Sequence, residues 1–241
     1  MQQPNGTQQK STPNQWATLA ELLGIERLPR NYTEKAVSTI GAYLSIMVIY
    51  FTTLHLMGAD FAMLIVASMG ASAMLLFALP HAAVSQPWPL FGGQVISALV
   101  GVFTARHVAD PLIAAPLAVA LCTLILFFGR CLHPPGAATA LTAVFASDAV
   151  REMGYSFALT PVALNVTILL IIAVVFNARF KWRRYPSGWH RRHKPQIAIG
   201  HVDVAVSHED FMAAVEKLDT FIDVSEEDLI KLHNLIYKQE H

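Results

Sequence analysis

Charge is what this sequence most conspicuously lacks. No Asp or Glu occurs between Asp60 and Asp110, and no Lys or Arg between Lys35 and Arg106. Only 14% of the 241 residues are charged, where a soluble domain carries about a quarter. A water-soluble globular fold is therefore excluded for the middle of the chain. Cysteine is nearly absent too. Cys122 and Cys131 both lie in or beside one apolar run, and nine helical positions separate them by about 13 Å. That is too far for a disulfide. Gly-x-Ser-x-Gly and His-x-x-x-His spacing are missing, and the apolar runs hold no paired acids, which argues against an intramembrane enzyme and against a metal site. No cofactor is expected. Residues 1–35 are polar and the first apolar run is too long for a signal sequence, so no cleaved leader is expected.

What the chain has is apolar runs. Six stand out: A (36–57), B (61–79), C (90–106), D (112–130), E (134–147) and F (159–178). A, C, D and F approach or reach the ~20 residues that span a bilayer. B is long enough but holds Ser68, Gly70 and Ser72. E is short and opens on two prolines, which suit a first helical turn where no N–H is needed. The expected fold is an all-α, polytopic transmembrane bundle of four to six membrane segments. Whether B and E cross or re-enter is left open.

The zero net charge conceals a separation. Arg27, Arg30 and Lys35 precede A, and Arg179, Lys181, Arg183, Arg184, Arg191, Arg192 and Lys194 follow F. Positive flanks stay cytoplasmic, so both termini are expected inside a bacterial-type inner (plasma) membrane. The basic cluster is topological first and lipid-binding second. Four regions follow: a partly disordered N-terminal segment (1–35) with an amphipathic stretch at 16–29, a membrane domain (36–186), a linker (187–200) and an acidic helical hairpin (201–241). Ser207 before Asp210 and Ser225 before Asp228 resemble capping boxes for that hairpin.

The segments also divide as two units, A–B–C and D–E–F. Gly70-Ala-Ser-Ala-Met-Leu-Leu-Phe-Ala in B resembles Gly136-Ala-Ala-Thr-Ala-Leu-Thr-Ala-Val-Phe in E, and Gln94-Val-Ile-Ser in C matches Asn165-Val-Thr-Ile in F. Inverted three-segment repeats are a transporter plan. Coincidence among small residues is the alternative. Gly93, Ser97, Gly101 and Ala105 form a small-residue stripe on C. It serves close helix packing inside the monomer or, second, a homo-oligomer contact.

The specific signal is Arg130-Cys131-Leu132-His133-Pro134-Pro135-Gly136-Ala137-Ala138-Thr139. With Gly92-Gly93, Ser97-Ala98-Leu99-Val100-Gly101, Pro161-Val162-Ala163-Leu164-Asn165 and Arg184-Tyr185-Pro186, it resembles the HPP family over about residues 36–186. Gln94 and Ala137 depart from that family's usual residues. The resemblance implies an integral membrane protein, and some members are held to transport nitrite. The residues suit an anion. A helix beginning at Pro134 offers backbone N–H groups at Gly136, Ala137 and Ala138 and a positive end. His133 and Thr139 add side-chain donors, and Gly70, Gln94 and Asn165 complete the candidate site with Pro135. The bland readings are that His133 caps or packs, that Thr139 and Thr142 back-bond to the preceding turn, and that Gln94 and Asn165 make interhelical bonds. His55, His81 and His107 read as interfacial, and Arg130 as an interfacial anchor or an anion attractant. Expected partners are a small anion and the lipid bilayer, with no nucleic acid. A membrane-embedded sensor or scaffold recruiting a partner through residues 201–241 is the competing function.

Overall fold

The computed structural model describes Leu23 and residues 32–145, 148–180, 182–183 and 185–190. The amphipathic stretch at 16–29, most of the linker and the acidic hairpin lie outside the described residues. All regular structure among the described residues is helical. Helices α1 (Tyr32–Met57) and α2 (Ala59–Ala78) are joined by Gly58 alone. Gly58 has φ +92°, a left-handed conformation that a side chain disfavours, and so the chain reverses in one residue. A 3₁₀ turn (Ala83–Ser85) leads into α3 (Pro87–His107). Helix α4 (Pro111–Phe128) follows, its N-terminus capped by the Asp110 carboxylate, which accepts from the Leu112 N–H at 2.9 Å. Next come α5 (Pro135–Val144) and α6 (Asp148–Met153). A π-helical turn (Ala158–Ala163) then opens α7 (Leu164–Asn177), and α8 (Ser187–His190) ends the described chain.

Among the described residues, four helical runs are long and apolar enough to cross a membrane: Tyr32–Met57, Pro87–His107, Pro111–Phe128 and Ala158–Asn177. Segment E becomes α5, only 10 residues long. At 1.5 Å per residue that is about 15 Å, half a bilayer core. Its ends are tolerated at that depth because protein surrounds it. Gly136, Thr139, Ala140, Ala143 and Val144 are buried among α2, α3 and α4.

The burial pattern inverts that of a soluble bundle. On α1 the buried positions are Val37, Gly41, Ser45, Ile49 and Thr53, one every four residues. Tyr43, Met47, Phe51 and Leu56 on the same helix are exposed. On α4, Leu112, Ile113, Leu124, Phe127 and Phe128 face outward while Ala114, Ala118 and Cys122 face in. Small residues inside and large apolar ones outside is how helices pack when lipid is the solvent. An outer surface this apolar has no place in water.

The stripe Gly93–Ser97–Gly101 is occupied within the chain. A methyl group added at Gly101 falls on the backbone of Ala140 in α5, 2.7 Å from its Cα. One added at Gly136 lies 2.9 Å from the Gly93 carbonyl oxygen and also strikes Ser97 Oγ. Gly93, Ser97 and Gly101 are all buried by this contact. Within the chain, α5 and the turn before it pack along this stripe.

Among the described residues of the basic cluster after α7, Arg183 is structural. Arg183 is 1% exposed. Its Nε donates to Glu34 Oε1 at 2.9 Å and its Nη2 to Ser38 Oγ at 2.8 Å and to the Phe77 carbonyl. It therefore staples the start of α1 to the last turn of α2, where carbonyls lack helical partners. Burial lowers its proton affinity and the Glu34 carboxylate raises it. Arg183 thus has a packing role that its place in a basic cluster did not suggest. His55 and His107 bond back onto their own helices. Both are exposed, and their Nδ1 atoms lie 2.9 and 2.8 Å from the Phe51 and Phe103 carbonyls one turn back.

Candidate functional site

Ser68 and Ser72 are four residues apart on α2, so both hydroxyls leave one helical face. Opposite them stands Gln94 of α3. Its amide nitrogen donates to Ser68 Oγ at 3.0 Å and to Ser72 Oγ at 2.8 Å. Its carbonyl oxygen accepts from Thr139 Oγ1 of α5. Ser68 Oγ also meets Thr139 Oγ1 and lies 3.1 Å from the Pro135 carbonyl oxygen. Ser72 Oγ is 2.9 Å from His133 Nε2. Every one of these five side chains is at most 2% exposed. The result is a hydrogen-bonded node of hydroxyl, amide and imidazole groups inside an apolar bundle, without a carboxylate or a fixed cation among its members.

The turn between α4 and α5 positions the imidazole. Gly129 ends α4, Arg130 reverses the chain at φ +51°, and the Cys131 N–H returns to the Leu126 carbonyl at 3.0 Å. The Trp88 indole donates to the Gly129 carbonyl at 3.0 Å, tying this turn to the start of α3. His133 then enters the bundle with its Cβ packed on Gly93. Its Nδ1 lies 2.9 Å from the Val84 carbonyl oxygen in the 3₁₀ turn. A carbonyl only accepts, so Nδ1 carries a hydrogen and Nε2 is the atom free to exchange one. The 3₁₀ turn is itself held from the far end of the chain. Tyr185 Oη donates to the Ser85 carbonyl at 2.9 Å, and burial raises the affinity of that phenol for its proton. Gln86 Oε1 accepts from the Ser187 N–H at 3.0 Å.

The structure brings His133, Pro135, Thr139 and Gln94 together and leaves other candidates apart. Two of the backbone donors at the α5 start have partners within the chain. The Gly136 N–H bonds the His133 carbonyl at 2.8 Å, and the Ala137 N–H bonds the Pro134 carbonyl at 3.1 Å. Two consecutive prolines do not prevent this tight turn, because they supply carbonyls even though they lack N–H groups. Gly136 is small because α3 presses on it. Pro134 is exposed, and Ala137 and Ala138 are partly buried. Gly70 faces open space, with nothing within 4 Å of an added methyl. Asn165 is buried, but its Oδ1 accepts from Thr53 Oγ1 of α1 at 3.0 Å, and its Nδ2 has no partner. Thr142 back-bonds to the Ala138 carbonyl at 2.8 Å. Arg130 is exposed, outside the node. No cluster of His, Cys, Asp and Glu suited to a metal ion occurs among the described residues. Ser68 and Ser72 were missing from the sequence-derived candidates. Their i, i+4 spacing opposite a mid-helix glutamine was the available signal.

Helices with a lipid-facing exterior around a buried polar node define a polytopic membrane protein. Residues 28–186 match the HPP transmembrane region, and the chain belongs to the HPP family. It is 30% identical over 156 residues to a transmembrane protein of Dictyostelium discoideum, covering 63% of this chain and 50% of that protein. A second transmembrane protein of the same organism is 35% identical over 129 residues, covering 52% of this chain and 45% of the relative. The chain thus spans about half the length of the curated relatives it matches. No solved structure matches it.

Proposed function

We propose that this chain carries a small inorganic anion across a bacterial-type inner membrane, nitrite being the substrate that the HPP resemblance suggests. The observation that carries this reading is the node itself. Five polar side chains from α2, α3, the α4–α5 turn and α5 converge where burial is complete. Polar groups at membrane depth are costly and are functional candidates by default. The absence of a carboxylate from the node suits an anion. Serine and threonine hydroxyls and the Gln94 amide all donate, and they turn from one another to an incoming acceptor. Beside the 3₁₀ turn lies an open cleft of about 700 Å³, lined by His81, Ala83, Gln86, Trp88 and Ser187 among others. Its lining residues Ala83 and Gln86 flank Val84, whose carbonyl faces His133 Nδ1.

Purified protein in liposomes, tested with nitrite, nitrate, formate, chloride and sulfate, should show saturable uptake of at least one small anion. Thr139→Val removes one hydroxyl donor with little change of shape. A hydrogen bond to a charged group contributes about 1.5–3 kcal/mol, so affinity should fall roughly ten- to a hundredfold. Uptake no greater than in protein-free liposomes for every anion would sink the reading.

The proposed orientation places both termini in the cytoplasm, because cations flank the first and last spans. Lys10→Cys and Pro195→Cys proteins in intact cells should resist a membrane-impermeant maleimide and label after lysis. Efficient labelling of either one from outside reverses the orientation.

A further inference from the structure

The node contains no fixed charge, yet the proposed cargo is an anion. Burying an unpaired anion costs far more than a few hydroxyl hydrogen bonds return. A compensating positive charge must therefore arrive with it. The elements packed on His133 are α2, the 3₁₀ turn, α3 and its own turn into α5. Asp60 on α2 and Arg106 on α3 are each 12 residues from the node positions Ser72 and Gln94, about 18 Å along their helices. His81 and Arg130 are exposed at the bundle end, Cys131 is buried without a bond to the imidazole, and Tyr185 reaches only the Ser85 carbonyl. Of the ionisable groups on these elements, His133 alone is bonded into the node.

The hydrogen bonds around His133 are built for two protonation states. Ser72 has one hydroxyl hydrogen and two acceptors in reach: His133 Nε2 at 2.9 Å and the Ser68 carbonyl at 3.1 Å. With a neutral imidazole, Ser72 donates to Nε2. With a protonated one, Nε2–H donates to Ser72 Oγ and the Ser72 hydrogen turns to the Ser68 carbonyl. In both states Ser72 Oγ accepts from the Gln94 amide, and His133 Nδ1–H stays on Val84. No heavy atom has to move. On the reading that this node transports a small anion, we infer that His133 Nε2 binds one proton together with each anion, so that the two cross as an electroneutral pair. The proton forms a new N–H bond with the Nε2 lone pair, and the charge of the imidazolium cancels that of a monovalent anion.

Proton and anion binding are then reciprocally linked. The test uses the full chain in liposomes with nitrite and nitrate, a lumenal pH dye and a potassium–valinomycin clamp. Nitrate matters because, unlike nitrite, it does not leak through lipid as its neutral acid. Protons should enter with the anion one for one, and clamping the voltage should leave uptake unchanged. Uptake should rise up to tenfold for each unit of acidification. His133→Gln keeps donor capacity but cannot titrate near neutral pH, and it should abolish proton entry and flatten the pH profile. A second readout is independent of transport. The nitrogen NMR signals of the His133 ring, assigned by their absence from the His133→Gln protein, should shift toward imidazolium when nitrite or nitrate is added. Voltage-driven anion uptake without proton entry would overturn proton coupling and leave the transport reading standing. Proton entry that persists in His133→Gln would move the proton site elsewhere and overturn the assignment. If no anion is taken up and the ring signals ignore both anions, the inference and the transport reading fall together.

Discussion

Gly101→Ala is expected to be among the most destabilising single-methyl changes in the membrane domain. The added carbon meets the Ala140 carbonyl and Cα, and the latter is 2.7 Å away. These are backbone atoms of α5, so no rotamer change relieves the contact. The two helices must separate, and that breaks the packing that also fixes Gly136 against Gly93 and Ser97. Overpacking of this kind costs about 1–3 kcal/mol, and a contact with backbone belongs at the upper end. Gly70→Ala is the matched control. It places the same methyl on a helix interior with nothing within 4 Å, and the better helix propensity of alanine contributes about 0.5–1 kcal/mol of stability. Thermal transitions of the purified proteins in one detergent should therefore move in opposite directions. Equal shifts would mean that the α3–α5 contact is looser than described.

That contrast shows where the sequence was legible. Runs A, C, D and F correspond to Tyr32–Met57, Pro87–His107, Pro111–Phe128 and Ala158–Asn177 within a few residues, because a bilayer imposes long apolar runs that end at charge or proline. The brevity of E was visible as well, and α5 ends at Val144. Gly70 and Gly136 looked equivalent in sequence, but one faces space and the other faces Gly93 and Ser97. A glycine does not announce its neighbour. The same ambiguity hid Ser68 and Ser72. Serines in membrane helices commonly back-bond to the preceding turn, and Ser72 does so while also reaching His133. His133, Thr139 and Gln94 were legible because a histidine, a hydroxyl beside Pro-Pro-Gly and a mid-membrane amide each demand a partner. Which partners they take depends on how four elements meet, and no spacing encodes that. The matched pair Gln94 and Asn165 illustrates the limit. One joins the node, and the other bonds Thr53 of α1.

Gln94→Glu should cut anion uptake at least a hundredfold while the protein still folds and inserts. The two side chains have nearly the same shape, so packing is preserved. What changes is the pattern of donors. The Gln94 amide donates to Ser68 and Ser72 at 3.0 and 2.8 Å. An ionised carboxylate only accepts, so both serine hydroxyls must turn toward it. Ser72 then has no hydrogen left for His133 Nε2, and the imidazole is satisfied at that atom only by carrying a proton. A carboxylate close by favours that charged form. The imidazolium charge is then taken up by the introduced carboxylate, and none is left to balance an incoming anion. A penalty of about 2.7 kcal/mol already amounts to a hundredfold in binding, and a like charge within a few ångströms in a buried site costs more than that. Uptake of nitrite and nitrate into liposomes, normalised to inserted protein, measures the effect. The thermal transition used for the glycine pair reports separately on folding. A purely structural node makes the opposite forecast: the transition shifts, and uptake per folded molecule stays at the wild-type value. Wild-type uptake by Gln94→Glu would therefore remove the node from the anion's path.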